Sequence, residues 1–424
     1  MSLESNTNVR TYPVITAASS EIPQSCLSSS APRPIQSRTG LKQVQSQTAA
    51  QTSNGTLLFP LGCGAGQGFL KAGSVYLAGS ISVTQVADTT WGFNQSGGAD
   101  AIILRSTVYV NGAIAEQTQF YNRVNMALEQ HCGNSGYVRN DLVVMSQKGR
   151  GGLAVATALP FVVPFKSGVM NAQHDLPLFL MNTCQVELNL DSVAAAILSK
   201  TTAATEYTIS NARLIYEVFY PEVDYENSMR AVLASGKLWQ SPVQSWYNLQ
   251  VSNTGVTKSQ PIGLNMSSVL GVFHFSQIDA GGALNPHYPA ADTPAGQGTR
   301  LFCDGVLINN YAIVDTPIIF AEKSRAMGLL LDPERCAIGV TAGNDNALAL
   351  GPADLTATKY LENAFLAGVS LIKTQESGFA MPGTAVSQAV LEVTNAGTAG
   401  QMYIFISYQQ IMTLDAMGNL QMIR

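Results

Sequence analysis

The sequence predicts an all-β protein made of two consecutive β-sandwich domains, and three observations support this prediction. Apolar and polar residues alternate in several segments, turn-forming residues recur roughly every 8–15 residues, and strands do not alternate regularly with helices. The length of 424 residues suits two domains better than a single hydrophobic core.

The predicted strands are recognised by alternation and by their content of β-branched and aromatic residues. The clearest alternation is VYLAGSISVT at residues 75–84, which places one face of a strand against a core. The turn Asn111-Gly112 follows the next β-rich segment and predicts a hairpin. The further predicted strands are residues 102–110, 185–190, 207–220, 246–252, 269–277, 301–309, 312–320, 385–394 and 402–414.

Helices are predicted to be few and short, at residues 117–131, 192–199, 223–236 and 354–367. The third of these helices carries Tyr225, Met229, Val232 and Leu233 on one stripe and ends at Gly236. Its apolar stripe needs a partner, and the two sandwiches are the nearest ones. We therefore predict that these four residues pack between the domains and fix the angle between them.

The chain divides into four segments. Residues 1–54 are rich in Ser, Thr, Gln and Pro without any regular period, so a flexible N-terminal arm is predicted there. The first β domain is predicted at residues 55–222, the linker helix at 223–236 and the second β domain at 237–424.

The composition favours a protein that is covered by copies of itself. Charged residues make up 12% of the chain, about half of the usual share, whereas apolar residues make up 46%. A surface with so little charge is poorly suited to a free monomer. The net charge is -5, and the predicted arm lacks a dense run of Lys and Arg, so sequence-specific nucleic-acid binding is not predicted.

No catalytic, cofactor or metal site is predicted, and the protein is not expected to be an enzyme. The histidines lack metal-binding spacing, and His274 lies in an apolar strand pattern that is typical of a core histidine. The glycine-rich residues 62–68 match no phosphate-binding motif, and residues 148–152 are interpreted as an exposed basic loop. The four histidines are His131, His174, His274 and His287.

The cysteines and the N-terminus indicate folding in a reducing compartment, a cytosol or a nucleus. No CxxC pair occurs, so the cysteines are interpreted as free thiols. The first residues, MSLESNTNVR, contain no apolar segment of a signal peptide, and no uncharged apolar run reaches the ~18 residues of a membrane span. The six cysteines are Cys26, Cys63, Cys132, Cys184, Cys303 and Cys336.

Several motifs in the right order resemble the double jelly-roll major capsid proteins of the adenovirus, tailless-phage and virophage-like lineage. QGFLKAGSVYLAGSISV is similar to the first strand pair of that family, and the segment from GADAIILRSTVYV to the Tyr121-Asn122 pair is similar to its next strand and helix. LPFVVPFKSGVMNAQHDLPLFLMNTCQVELNL resembles its Phe-Pro loop and the strand that follows. YTISNARLIYEVFYPEVDYENSM resembles the exit from the first roll, and GTAVSQAVLEVTNAGTAGQMYIFISYQQIMTL resembles the last strands of the second.

The resemblance implies two tandem jelly rolls with a few short helices, and a structural role in the virion. It implies homotrimers of pseudo-hexagonal outline that tile an icosahedral shell, together with a separate vertex (penton) protein and minor capsid proteins. An internal membrane beneath the shell is compatible with it.

Two alternative functions stay open at this stage. The first is a small-virus coat protein with one jelly-roll shell domain and a protruding domain, although such proteins often carry a basic arm. The second is a β-rich carbohydrate-binding or tail module, for which clustered aromatic residues are expected. The three tryptophans are instead dispersed, at Trp91, Trp239 and Trp246.

Overall fold

The structure is a computed structural model, and its secondary structure is mainly β. The residues that it describes are 37–84, 90–93, 98–132, 142–147, 153–154, 156–172, 174–199, 206–253, 257–278, 298–309, 311, 313–327, 365–373, 382–394 and 400–423.

The first half of the described chain consists of short strands with four helices between them. The strands are β1 (Ser37–Gln45), β2 (Ala50–Thr52), β3 (Thr56–Leu61), β4 (Phe69–Leu70), β5 (Tyr76–Thr84), β6 (Thr90–Phe93), β7 (Ile103–Val110), β8 (Ala113–Thr118), β9 (Leu153–Ala154), β10 (Leu159–Pro164), β11 (Leu176–Pro177), β12 (Cys184–Leu190), β13 (Ile197–Ser199) and β14 (Glu206–Pro221). The helices are α1 (Tyr121–Cys132), α2 (Leu142–Met145), α3 (Val193–Ala196) and α4 (Val223–Ala234), with 3-10 turns at Gly98–Ile102 and Leu178–Leu180.

The second half contains longer strands and one helix in its described part. The strands are β15 (Trp239–Asn253), β16 (Thr257–Ile278), β17 (Gly298–Cys303), β18 (Val306–Leu307), β19 (Ala367–Ser370), β20 (Thr384–Thr394), β21 (Gly400–Leu414) and β22 (Leu420–Ile423), and the helix is α5 (Thr316–Ala326).

The first half forms three antiparallel sheets. The largest has the order β10-β5-β14-β4-β11, with β1 and β2 also paired to β14. The second has the order β3-β12-β7-β8, and the third the order β13-β6-β9. Apart from the β7–β8 hairpin, neighbours in these sheets are distant in sequence, as in wrapped sandwiches. Burial alternates along β12, so every second side chain enters the core.

The second half forms one eight-stranded antiparallel sheet in the order β15-β21-β16-β20-β17-β18. Strand β19 also pairs with β16, and β22 pairs with β21. The pairing of β15 with β21 is continuous from Trp239 opposite Leu414 to Asn253 opposite Gly400. The ladder of β16 shifts register between Gly263 and Val269, where the strand changes its partners.

Each half has its own apolar core, but the two cores exchange residues. The first core includes Trp239 and Leu414, which lie on strands of the second half. The second core includes Val124 and Met126, which lie on α1 of the first half. The cores therefore do not coincide with the domains predicted at residues 55–222 and 237–424. The boundaries of these domains stay a prediction.

The predicted hairpin at Asn111-Gly112 is confirmed. Asn111 and Gly112 have φ angles of 51° and 78°, and β7 pairs with β8 on either side of them. Positive φ at both central residues is typical of a type I′ turn, whose twist matches that of the flanking strands.

The strand predicted at residues 312–320 is wrong, because this segment contributes the first half of α5. Pro317 lies in the first turn of α5, where proline's missing N–H costs no hydrogen bond. Ile319, Lys323 and Ala326 are buried and share one helical stripe. Of the β-branched residues that suggested a strand, Ile319 lies on the buried face of the helix, whereas Ile318 is exposed. The helix predicted at residues 354–367 lies mainly outside the described residues.

Part of the predicted N-terminal arm is ordered on the first half. Residues 37–45 form β1, which pairs with β14 from Pro221 to Arg213, and β2 pairs with residues 208–210. Arg38 and Lys42 lie 5.0 Å and 5.4 Å from the ring centroid of Tyr220. The polar side chains of this segment could not form a core, but its backbone N–H and C=O groups form hydrogen bonds with the edge of β14. Residues 1–36 lie outside the described residues.

Candidate functional site: the junction between the halves

The four residues predicted to pack between the domains lie along one side of α4. Met229 and Leu233 are buried in the first core, whereas Tyr225 and Val232 are half-buried. The ring of Tyr225 packs against that of Phe69, with centroids 6.1 Å apart. The stripe is therefore apolar and packed, and its described contacts belong to the first core.

Polar contacts also hold α4 on the first half. Arg230 donates through Nη2 to the carbonyl oxygen of Phe179 at 2.8 Å, and its guanidinium lies 5.5 Å from the Phe179 ring centroid. The backbone N–H of Gly66 donates to the carboxylate of Glu226 at 3.4 Å. The first core, in which α4 buries Met229 and Leu233, also contains Trp239 of the second half. Its role in fixing the angle between the halves stays a prediction.

A buried carboxylate joins the halves at a place that the sequence did not predict. Glu116 on β8 accepts hydrogen bonds from the N–H groups of Gly168 and Val169, at 2.9 Å and 3.2 Å, and from the hydroxyl of Ser167. It also accepts one from Ser245 on β15 of the second half. Burial raises the pKa of Glu116, while these four donors oppose the rise.

The backbone beside this carboxylate approaches the second half very closely. A Cβ atom built on Gly168 would lie 1.9 Å from the carbonyl oxygen of Gln244 and 3.0 Å from a methyl group of Val243. Glycine is the one residue that permits this approach, because any other residue places a Cβ inside the backbone of β15.

The start of α1 and the preceding residue, Phe120, provide a second contact between the halves. Phe120 packs edge-to-face on Tyr403 of β21, with ring centroids 5.3 Å apart, and the guanidinium of Arg123 lies 5.5 Å from the same ring centroid. Arg123 also forms a buried ion pair with Asp191 at 2.5 Å. Asn122 donates to the same carboxylate at 2.7 Å, so the ion pair belongs to a hydrogen-bonded network.

The turn between β21 and β22 provides a third contact. The side-chain amide of Asn111 donates to the carbonyl oxygen of Gly418, and its Oδ1 accepts from the N–H groups of Asn182 and Thr183 at 2.7 Å and 2.9 Å. Asp415 organises the turn by accepting from the N–H of Asn419 at 2.8 Å. The hairpin turn of the first half therefore binds the last turn of the second.

We call the first two contacts the junction, defined as Glu116, Phe120, Arg123, Gly168, Ser245 and Tyr403. Beside it lies a cavity of about 440 Å³ with walls from both halves. Its lining mixes polar residues such as Asn125, Lys166 and Gln244 with apolar ones such as Trp246 and Phe273. Among the described residues, its lining contains no converging set of acid, base and nucleophile.

Of the residues considered for chemistry in the sequence analysis, His274 lies in the core, and several others fall outside the described residues. His274 is buried, its Nε2 lies 2.9 Å from the Thr299 hydroxyl, and burial lowers its pKa to about 4. Within the described ranges, no cluster of three His, Cys, Asp or Glu residues could hold a metal ion. No helix of those ranges has the length and apolar character needed to cross a membrane. The basic loop at residues 148–152 and His287 lie outside the described residues.

No local signal in the sequence indicated the junction. Glu116 lies in the short segment AIAEQT, which follows the predicted hairpin turn but was not among the predicted strands. Its partners at residues 167–169 and 245 are far away in sequence, and no local pattern connects them. The rings of Phe120 and Tyr403 look like ordinary core residues from the sequence alone.

Comparison with solved structures places this fold in a known class. The structure of the PBCV-1 virus capsid matches with a TM-score of 0.59 at 10% identity, over 93% of this chain and 98% of that chain. The Faustovirus major capsid protein matches with a TM-score of 0.60 at 8% identity, over 94% of this chain and 92% of that one. The cryo-EM structure of the Sputnik virophage matches with a TM-score of 0.57 at 10% identity, over 92% of this chain and 89% of that one.

These similarities show the fold. The chain has a double jelly-roll architecture, two wrapped β-sandwiches in tandem with a few short helices, as the sequence predicted. No protein-family model and no curated protein matches the sequence. The alternative with one shell domain and a separate protruding domain is not supported, because the match to two-roll chains extends over nearly the whole length.

Proposed function

We propose that this protein is the major capsid protein of an icosahedral virus and that it assembles as a homotrimer. The observation that carries the proposal is the double jelly-roll fold, which matches the PBCV-1 capsid chain over 93% of this chain. Two rolls per chain give six rolls in a trimer, and six similar sandwiches around one axis produce a pseudo-hexagonal outline that tiles a flat face.

The physical chemistry of the surface supports assembly. Charged residues are only 12% of the chain, so much of its outer wall can be buried against other subunits at little desolvation cost. Obligate interfaces commonly bury more than roughly 2,000 Å² and are rather apolar. Exposed apolar side chains of the described residues include Leu41, Val144, Val223 and Met417.

The same proposal defines partners and location. The protein's main partner is itself, first in the trimer and then in the lattice, and a separate vertex protein and minor capsid proteins complete the shell. The virion is the location of the assembled protein, after synthesis in the cytoplasm or nucleus of a host. The role is structural, without enzymatic activity or sequence-specific nucleic-acid binding.

The oligomeric state of the purified protein tests the proposal. Light scattering coupled to size-exclusion chromatography should give the mass of three 45.0 kDa chains, and negative-stain microscopy should show particles of pseudo-hexagonal outline. A stable monomer under all buffer conditions, or particles with one lobe per chain, would contradict the proposal.

We also propose that α4 fixes the angle between the rolls through Tyr225, Met229, Val232 and Leu233. Leu233→Asp should abolish the soluble trimer, because it places an unpaired charge in the first core. The matched control is Ala231→Asp on the same helix, where the side chain is exposed, and it should assemble normally. Normal trimers from Leu233→Asp would show that the stripe is not needed for assembly.

A further inference from the structure

Two cysteines of the first roll lie side by side. Cys184 begins β12 and is directly opposite Leu61 at the end of β3, while Cys63 follows two residues after Leu61. Cys63 also packs against the first core, which contains Cys184. Their sulfur atoms are within hydrogen-bonding reach of each other, and both are free thiols.

The two thiols have different surroundings. Cys184 is buried in the first core, whereas Cys63 is half-exposed at the start of the glycine-rich residues 62–68. Positive φ angles at Gly64, Gly66 and Gly68 permit a tight loop, in which the N–H of Gln67 donates to the carbonyl oxygen of Gly64. One thiol is therefore reachable from solvent, and the second lies directly behind it.

The ammonium group of Lys42 lies near Cys63, the more exposed of the two thiols. Lys42 on β1 donates to Oε1 of Gln67 in the same loop at 2.5 Å. The hydrogen bond from Cys184 lowers the pKa of Cys63 and the Lys42 ammonium lowers it further, although burial partly opposes both effects. The hydrogen bond to Cys63 and burial raise the pKa of Cys184. Cys63 is thus the thiol that ionises first.

We propose that Cys63 and Cys184 form an oxidisable pair, a modification site at which a low-molecular-weight disulfide such as oxidised glutathione creates an intramolecular disulfide. The Cys63 thiolate attacks one sulfur of the small disulfide, and the other sulfur leaves as a thiolate. Cys184 then loses its proton to that thiolate and attacks the Cys63 sulfur, releasing the second small thiol. Two protein thiols are oxidised, and one small disulfide is reduced to two thiols.

The bond would join the loop after β3 to β12 and close a long segment of the first roll. Such a crosslink restricts the unfolded chain and stabilises the folded one. The bond lies within a single chain, so this proposal stands independently of assembly. In a reducing host compartment the pair stays reduced, and it oxidises after transfer to an oxidising medium.

Peptide mapping of the full-length protein tests the proposal. The purified protein is incubated with oxidised glutathione at neutral pH, its remaining thiols are blocked, and the digest is analysed by mass spectrometry without reduction. The expected product is a linked pair of peptides that contain Cys63 and Cys184, together with a thermal midpoint about 5 °C above that of the reduced protein. A lasting glutathione adduct on Cys63 with Cys184 still reduced, or two unmodified thiols, would overturn the proposal.

Three variants make the result specific. Cys63→Ser should lose both the linked peptides and the rise in thermal midpoint, whereas Cys303→Ser removes another buried thiol and should keep both. Lys42→Met should slow formation of the bond about threefold without preventing it, because the thiolate loses its neighbouring cation. Linkage at the wild-type rate in Lys42→Met would contradict the activating role of Lys42.

Discussion

Gly168→Ala is the sharpest probe of the contact between the two rolls, because it adds one methyl group and changes no charge. The new Cβ would lie 1.9 Å from the carbonyl oxygen of Gln244, whereas ordinary contacts begin at about 3.4 Å. Neither backbone is free to move. The Gly168 N–H is bound to Glu116 at 2.9 Å, and Gln244 is paired with Gln409 in the continuous ladder of β15 and β21.

The expected loss of stability follows from that geometry. Overpacking in a well-packed region costs about 1–3 kcal/mol, and a clash between two fixed backbones belongs at the upper end of that range. Separating the rolls instead would stretch the hydrogen bonds of Glu116 with Gly168 and Ser245. We therefore expect the free energy of unfolding to fall by about 3 kcal/mol. For a unit of the size of one roll, this lowers the thermal midpoint by about 6–10 °C.

Differential scanning fluorimetry of matched alanine variants measures the effect. Gly263→Ala is the control, because Gly263 lies on β16 with an ordinary φ angle and no atom lies within 4 Å of the position that an alanine methyl group would occupy there. The control should stay within about 2 °C of the wild type. Equal midpoints for the two variants would refute the close approach of the rolls at Gly168.

Three other substitutions test buried charges by thermal unfolding. Burial makes the pKa of Glu116 higher in the folded chain than its usual 4.5, so its contribution to stability declines as pH rises through the folded pKa, and Glu116→Gln should remove this decline. His274 has its pKa lowered to about 4, so stability is lost as pH falls from about 6.5 to about 4, and His274→Phe should reduce that loss. Arg123→Ala should cost about 3–5 kcal/mol by leaving Asp191 buried and unpaired, whereas Arg105→Ala, from a partly exposed ion pair, should cost less than about 1 kcal/mol.

The sequence contained enough local information for the strands. In VYLAGSISVT the alternation of side chains agrees with the burial of Leu77, Ile81 and Val83 in the structure, and the Asn111-Gly112 turn fixed one hairpin. Both signals depend on residues a few positions apart, which is the range over which single-sequence patterns are informative. The double jelly-roll fold could be predicted because these local signals occur in a characteristic order.

Two features were mispredicted because composition and tertiary context point in different directions. Residues 37–45 are polar and aperiodic, but their backbone satisfies the open edge of β14. Residues 312–320 are rich in β-branched side chains, but Pro317 and the stripe through Ile319 and Lys323 begin a helix. For residues 37–45 the deciding contact lies in a distant part of the chain, which local propensity cannot represent.

The junction could not be predicted from the sequence for the same reason. Glu116 is buried only because residues 167–169 and Ser245 supply donors from two other segments. A buried carboxylate without such donors would be strongly destabilising, so its presence on a strand gives no local indication of its role. The α4 stripe was visible in the sequence because all of its members lie on one helix.

The exchange of residues between the cores bears on how the two rolls work together. Val124 and Met126 leave the first half to enter the second core, and Trp239 and Leu414 enter the first core in return. Each core is therefore completed by the other half, and the polar junction between them is satisfied only when the rolls are correctly aligned. If the protein forms the capsid proposed above, this shared packing would keep the angle between the two rolls constant from one subunit to the next.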